Sequence, residues 1–154
     1  MSYIVSYIRV LFLLTLPVLV FAGEGVGARY IGGTVSTIPS GAGGKIQTTD
    51  ELFFEFRSSG RQMNVSYDQI NLLEYGQKVN RRIILAVALS PLFLLSKSRN
   101  HFLTVGYTDK DGKQQAMVFK IDSGKIRTVL VSLEARTGQK VQYQDDEARK
   151  AGKG

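Results

Sequence analysis

The sequence contains no cysteine. That absence removes a disulfide framework, a thiol nucleophile, a cysteine-type zinc site and the lipidated cysteine of a bacterial lipoprotein. Histidine is almost as scarce. His101 stands alone, so no pair of imidazoles exists to hold zinc or pass a proton. No Gly-x-Ser-x-Gly turn accompanies the hydroxyl residues. The glycine-rich stretch Gly41 to Lys45 lacks the earlier glycine of a phosphate loop, and Ile46 stands where Ser or Thr would hold magnesium. Asp109-Lys110-Asp111-Gly112 imitates part of a calcium loop, but Tyr107 and Val118 occupy its first and last ligand positions. Asp145-Asp146-Glu147 reads as a solvated acidic tail before it reads as a cation site. No catalytic residue, metal ligand or cofactor site is expected, and the chain is expected not to be an enzyme.

What is present is a globular balance, with 44% hydrophobic and 21% charged residues in 154. The first residues carry one charge, Arg9, ahead of an apolar stretch from Val10 to Ala22 that ends Val20-Phe21-Ala22. This predicts a secretory signal over residues 1–22, cleaved after Ala22. The rival is an uncleaved anchor, since Tyr3 to Ala22 gives about 20 residues, marginally enough to span a bilayer. Cleavage would take only Arg9 from the charged set and lower the net charge by one from +7. A basic, cysteine-free exported domain points to the bacterial periplasm or cell envelope. Its expected partners there are anionic lipid or an envelope protein rather than nucleic acid.

A flexible lead-in is expected over 23–28, a folded domain over 29–143 and a charged, frayed tail over 144–154. In residues 28 to 38, Tyr30, Val35 and Ile38 mark a first strand, with Gly32-Gly33 signalling a bulge or a close backbone approach. After a loop at 39–44, two strand runs flank Thr49-Asp50. The second places Leu52, Phe54 and Phe56 on one face. Beyond a turn at Ser58-Ser59-Gly60, Met63, Val65 and Tyr67 share a strand face, and Ile70, Leu72 and Tyr75 continue it past an irregularity at Asp68-Gln69. Asp111-Gly112, between Phe102–Tyr107 and Gln115–Ile121, is the clearest hairpin signal in the chain. Ile126, Val129, Leu130 and Leu133 then follow helical spacing. Asp122 or Ser123 is the candidate N-cap, and Gly138 the left-handed stop. Residues 141–144 offer a last short strand.

Several antiparallel strands, a late Asp-Gly hairpin and one amphipathic C-terminal helix resemble the pleckstrin-homology-like domain, in particular its GRAM and bacterial variants. The likeness rests on GKIQTTDELFFEF, VSYDQINLLE, HFLTVGYTDKDGKQQAMVFKI and IRTVLVSLEARTG, and it covers about residues 29 to 143. The chain is also similar to small exported bacterial proteins, which implies a fold without an activity. The resemblance implies a mainly β fold, an antiparallel barrel or sandwich capped by one helix. It also implies a module that binds lipids, peptides or partner domains. The family's lipid-binding residues lie in a basic first loop. Here that loop is PSGAGGK with Lys45 as its only charge, so phosphoinositide binding is not carried over.

The most distinctive stretch is RRIILAVALSPLFLLSKSR, residues 81 to 99. As a helix, Ile83 to Leu95 would reach about 20 Å against the roughly 30 Å of hydrocarbon a span must cross, and Pro91 would break it. Two other readings stay open. The run is a buried fourth strand with Leu92 to Leu95 capping an open end, or it is an apolar projection that dips into a bilayer or a partner groove. Lys78, Arg81, Arg82, Lys97 and Arg99, with Lys110 and Lys113 nearby, frame it. A solvated rim is the plain reading of those charges. An anionic contact is the functional one. Aromatics are not interleaved among them as in a single-strand nucleic-acid channel. The expectation is an exported binding module that meets the envelope or an anionic membrane through residues 78–99, with Lys78, Arg81, Arg82, Leu92, Phe93, Lys97 and Arg99 as contacts. The alternative is a protein–protein adaptor that uses a sheet edge or the same apolar patch.

Overall fold

The computed structural model describes residues 25–78 and 100–153. The predicted signal over 1–22 and the apolar run over 81–99 lie outside the described residues. The framework is β1 (Val26–Gly33), β2 (Gly43–Gln47), β3 (Phe53–Ser58), β4 (Arg61–Ser66), β5 (Ile70–Gly76), β6 (His101–Thr108), β7 (Gln114–Ile121), α1 (Ile126–Thr137), β8 (Gln142–Tyr143) and α2 (Asp146–Lys153). The strands form one sheet in the order β4-β3-β2-β1-β7-β6-β5-β8. Every neighbouring pair is antiparallel except β5 and β8, so the sheet is mixed. It does not close: β4 and β8 are its two edges.

Alternation decides which face is buried. Phe54 and Phe56 of β3 and Met63 and Val65 of β4 turn inward, as the period-2 pattern predicts. Leu52 does not join them. Asp50 Oδ1 accepts the N–H groups of Leu52 and Phe53 at 2.7 and 2.9 Å, which holds residues 50–52 in a turn and leaves Leu52 65% exposed. In β5 the inward set is Ile70, Leu73 and Tyr75 rather than Ile70, Leu72 and Tyr75. A register shift between Ile70 and Leu72 inserts one residue and changes the phase. The irregularity expected at Asp68-Gln69 is a 3-10 turn over Tyr67–Gln69.

The expected bulge in β1 is present. Tyr30 pairs with Phe119 and Gly32 with Val118, so Ile31 is the extra residue. The strand departs from expectation at both ends. It begins at Val26, within the predicted lead-in, because Val26 and Gly27 pair with Ile46 and Lys45. It stops at Gly33, leaving Val35 and Ile38 in the following loop, where Ile38 is nevertheless buried in the core. Arg61–Ser66 is the fourth strand in chain order among the described residues, and the strand reading of residues 83–95 lies outside them.

Inward residues of the whole sheet and the buried stripe of α1 (Ile126, Val129, Leu130, Leu133) make one core. Each such side chain contributes roughly 1.5–3 kcal/mol on burial. Gly138, at φ 69°, ends α1 as predicted, its N–H bonded to Glu134 O. The predicted cap fails: a 3-10 turn over Ser123–Lys125 precedes the helix, and Lys125 holds the N-cap position without a side-chain bond. Arg136 stacks its guanidinium 5.8 Å from the Tyr67 ring and donates to Thr49 O, tying the helix end to the β2–β3 loop.

The largest correction concerns the tail. Residues 146–153 form a second helix rather than a frayed end. Asp145 Oδ1 accepts the Ala148 N–H at 2.6 Å, a side-chain N-cap. Ala148, Ala151 and Gly152 fall on one face, where small size permits close approach. A Cβ at Gly152 would lie 2.6 Å from the Tyr143 ring. The described residues therefore include two α-helices near the C-terminal end where one was expected.

Candidate functional site

The predicted contact segment joins β5 to β6, and these two strands pair antiparallel with Gly76 opposite Phe102. The chain thus leaves the described sheet at Lys78 and re-enters at Asn100 from two adjacent strand ends. Lys78 is exposed there. Arg81, Arg82, Leu92, Phe93, Lys97 and Arg99 lie outside the described residues. Lys110 and Lys113, which the sequence places nearby, do not join this end. They sit in the β6–β7 hairpin, at the far end of an eight-residue strand, about 24 Å away at ordinary strand rise.

His101 opens β6 at the same sheet end as Lys78. Its Nδ1 is hydrogen-bonded to the Tyr75 hydroxyl, and the two rings stack 6.0 Å apart at 8°. Burial lowers the imidazole pKa, which favours the neutral ring in its hydrogen bond with the Tyr75 hydroxyl. The Tyr75 hydroxyl is pushed up to about 12, by burial first and then by Tyr143 and Asp145. Tyr143 meets Tyr75 edge-on at 6.0 Å, and Lys153 of α2 lies over the Tyr143 ring. One nitrogen of the imidazole is thus engaged with a phenol that stays protonated across the physiological range.

This pairing sets a pH dependence. The unfolded imidazole takes a proton near pH 6.5, whereas the folded one resists until lower pH. The contribution is complete above the unfolded value and is lost as pH falls through the lowered one. Wild-type thermal midpoints are expected to drop between about pH 7.5 and about pH 5.5. The His101→Gln variant, which keeps an acceptor for Tyr75, is expected to lose much of that drop. Parallel pH profiles of the two proteins would refute this assignment.

A second assembly of charge lies on the outer face of the sheet, away from the helices. The register places Arg29 of β1 directly opposite Lys120 of β7, and Lys45 of β2 directly opposite Arg57 of β3. Two shallow depressions adjoin these pairs. One, of about 340 Å³, is lined by Arg29, Lys120, Asp122 and glycines that include Gly27 and Gly43. The other, of about 310 Å³, is lined by Lys45, Arg57, Arg61 and the Ser59-Gly60 turn. Arg57 pairs with Glu55 at 2.8 Å. Among the described residues Arg29, Lys45 and Lys120 have no acidic partner within salt-bridge distance.

Sequence reasoning singled out Lys45 alone from this group. The others are dispersed from residue 29 to residue 120, and only strand order brings them together. Outward parity within each strand was the one signal available. Among the described residues no group of three or more His, Cys, Asp or Glu side chains could hold a metal, and no helix is long and apolar enough to cross a membrane. No known protein family and no curated protein matches the chain.

Proposed function

We propose that the chain is an exported, non-enzymatic binding module of pleckstrin-homology-like architecture that associates with the cell envelope or an anionic membrane surface through residues 78–99. Strand order supports the architecture. A four-strand meander is followed by three strands that fold back so that β7 pairs with β1, and α1 then packs on the core. Two departures are the parallel β8 and the added α2.

The observation that carries the membrane reading is the anchorage of the basic–apolar–basic segment. Both of its ends leave paired, adjacent strands, with Gly76 opposite Phe102. A segment whose ends are already fixed has less conformational freedom to lose on binding. Its basic residues each contribute about 1 kcal/mol near an anionic surface. Its apolar side chains each add roughly 1.5–3 kcal/mol when covered. The chain beginning at Gly23 is expected to co-sediment with anionic vesicles at low salt, and Leu92→Asp with Phe93→Asp to leave it in the supernatant. Failure of the wild type to pellet would sink the reading.

One observation favours an adaptor instead. Among the described residues the β4 edge has no strand neighbour on one side, and Leu52 and Phe53 beside it are 65% and 40% exposed. A partner strand could add there, with those side chains as anchors. Loss of a captured envelope partner in Leu52→Asp, with vesicle binding intact, would select this second reading.

A further inference from the structure

The outer-face cations are arranged against the stability of the sheet, and that calls for a reason. Like charges directly opposite on neighbouring strands repel. Here two such pairs, Arg29 with Lys120 and Lys45 with Arg57, sit side by side. Cationic side chains are common on sheet edges, where they discourage aggregation. That explanation fails for these strands, because β7, β1, β2 and β3 are all internal to the sheet.

Glycine strips the floor between the pairs. Gly27 lies opposite Lys45, and Gly43 lies opposite Arg29. A Cβ at Gly43 would meet nothing within 4 Å, so packing does not demand a bare surface there. The result is an open trough floored by backbone and walled by cations from four strands. Its carboxylates are few. Glu55 is engaged with Arg57, and Asp122 reaches over Gly27, where a Cβ would lie 2.7 Å from its Oδ2.

We propose that this trough binds a ligand carrying two or more phosphoryl groups, which bridge the Arg29–Lys120 pair and the Lys45–Arg57 pair. Guanidinium groups present paired N–H donors that match phosphate oxygens, and lysines add point charge. Arg29 and Lys45 are diagonal neighbours, about 7–8 Å apart at the backbone, a spacing that linked phosphoryl groups can span. Bound phosphate replaces the repulsion within each pair by attraction. The outer-face positions of β1 and β2, which floor the trough, carry no aromatic side chain, so recognition there rests on charge. The site needs none of residues 79–99 and stands whether or not the membrane reading does.

The test is calorimetric titration of the full chain with sodium tripolyphosphate, with vesicles of phosphatidic acid in a competing arm. Saturable binding is expected in the wild type. Lys45→Gln and Lys120→Gln are each expected to weaken it roughly tenfold. Their ligand-free thermal midpoints are expected to rise, which checks folding and reports the relieved repulsion. Asp122→Asn is expected to tighten binding. Competition between tripolyphosphate and the vesicles that is lost in Lys45→Gln assigns the phosphoryl groups to a lipid headgroup. Tripolyphosphate binding without competition assigns them to a soluble ligand. The proposal is overturned if tripolyphosphate does not bind, if sulfate at equal ionic strength binds as well, or if the glutamine variants bind like the wild type.

Discussion

Phe119→Ala is expected to destabilise the protein by about 3–5 kcal/mol, among the largest effects of truncating one core side chain. Phe119 is fully buried on β7, the strand that joins the β1–β4 meander to β5 and β6. Its ring lies 5.6 Å from Tyr30, 5.7 Å from Phe54 and 5.0 Å from Phe56, with tilted or edge-on geometry throughout. Those partners come from β1 and β3, so truncation opens a cavity where the two halves of the sheet meet over the core. Aromatic pairs of this kind add about 0.5–1.5 kcal/mol beyond area burial. A domain of ordinary stability, about 5–15 kcal/mol, would lose a fifth or more of it. In urea the midpoint should fall by about 2 M with the slope unchanged. A fall of less than about 0.5 M would mean that the cavity collapses at little cost and that the aromatic cluster is not the centre of the core.

Gly33→Ala is expected to cost about 3 kcal/mol, while Gly43→Ala changes stability by less than about 0.5 kcal/mol. Both residues are strand glycines in the same half of the sheet, so the contrast isolates packing from chain entropy. At Gly33 a Cβ would lie 2.2 Å from the carbonyl oxygen of Ala116 and 2.8 Å from the Tyr30 hydroxyl. The first of these is backbone and cannot swing aside. The second is held by its bond to Val35 O at 3.0 Å. An added methyl must therefore push β1 off β7 beside the bulge at Ile31, or break the Tyr30 bond. At Gly43 the same methyl meets open space. Thermal melts of both variants decide the point, and equal midpoints would show that β1 has slack at the bulge.

These two residues also show what was legible beforehand. The β6–β7 hairpin was readable because Asp111-Gly112 dictates the turn locally. Gly112 takes φ 75° there, and Asp109 Oδ1 accepts the N–H groups of Asp111 and Lys113. The buried stripe of α1 was readable because its spacing needs no partner to define it. Gly32-Gly33 announced a bulge, but not which side chain would be displaced.

Features set by distant parts of the chain were hidden. The phase of β5 depends on one residue inserted against β6. The second helix was concealed by the polarity of its sequence, because it docks through alanine and glycine rather than large apolar groups. Its signals were Asp145 at the cap, and acids in the first turn with lysines in the last. The trough of cations was hidden most completely, since register across four strands assembles it. The grouping of Lys110 and Lys113 with Lys78 erred in the opposite sense. Residues near in sequence were carried apart by a strand of eight residues.

The central claim is that residues 78–99 meet the membrane, and the absence of cysteine makes it directly measurable. A single thiol introduced as Leu92→Cys can carry an environment-sensitive fluorophore as the only label in the chain. Thr128→Cys, exposed on α1 and away from the cationic trough, provides the control. With anionic vesicles that contain a lipid-borne quencher, the label at 92 is expected to shift to the blue and then be quenched, while the label at 128 stays in water. A label at 92 that remains as aqueous as the one at 128, under conditions where both proteins are folded, would contradict the account.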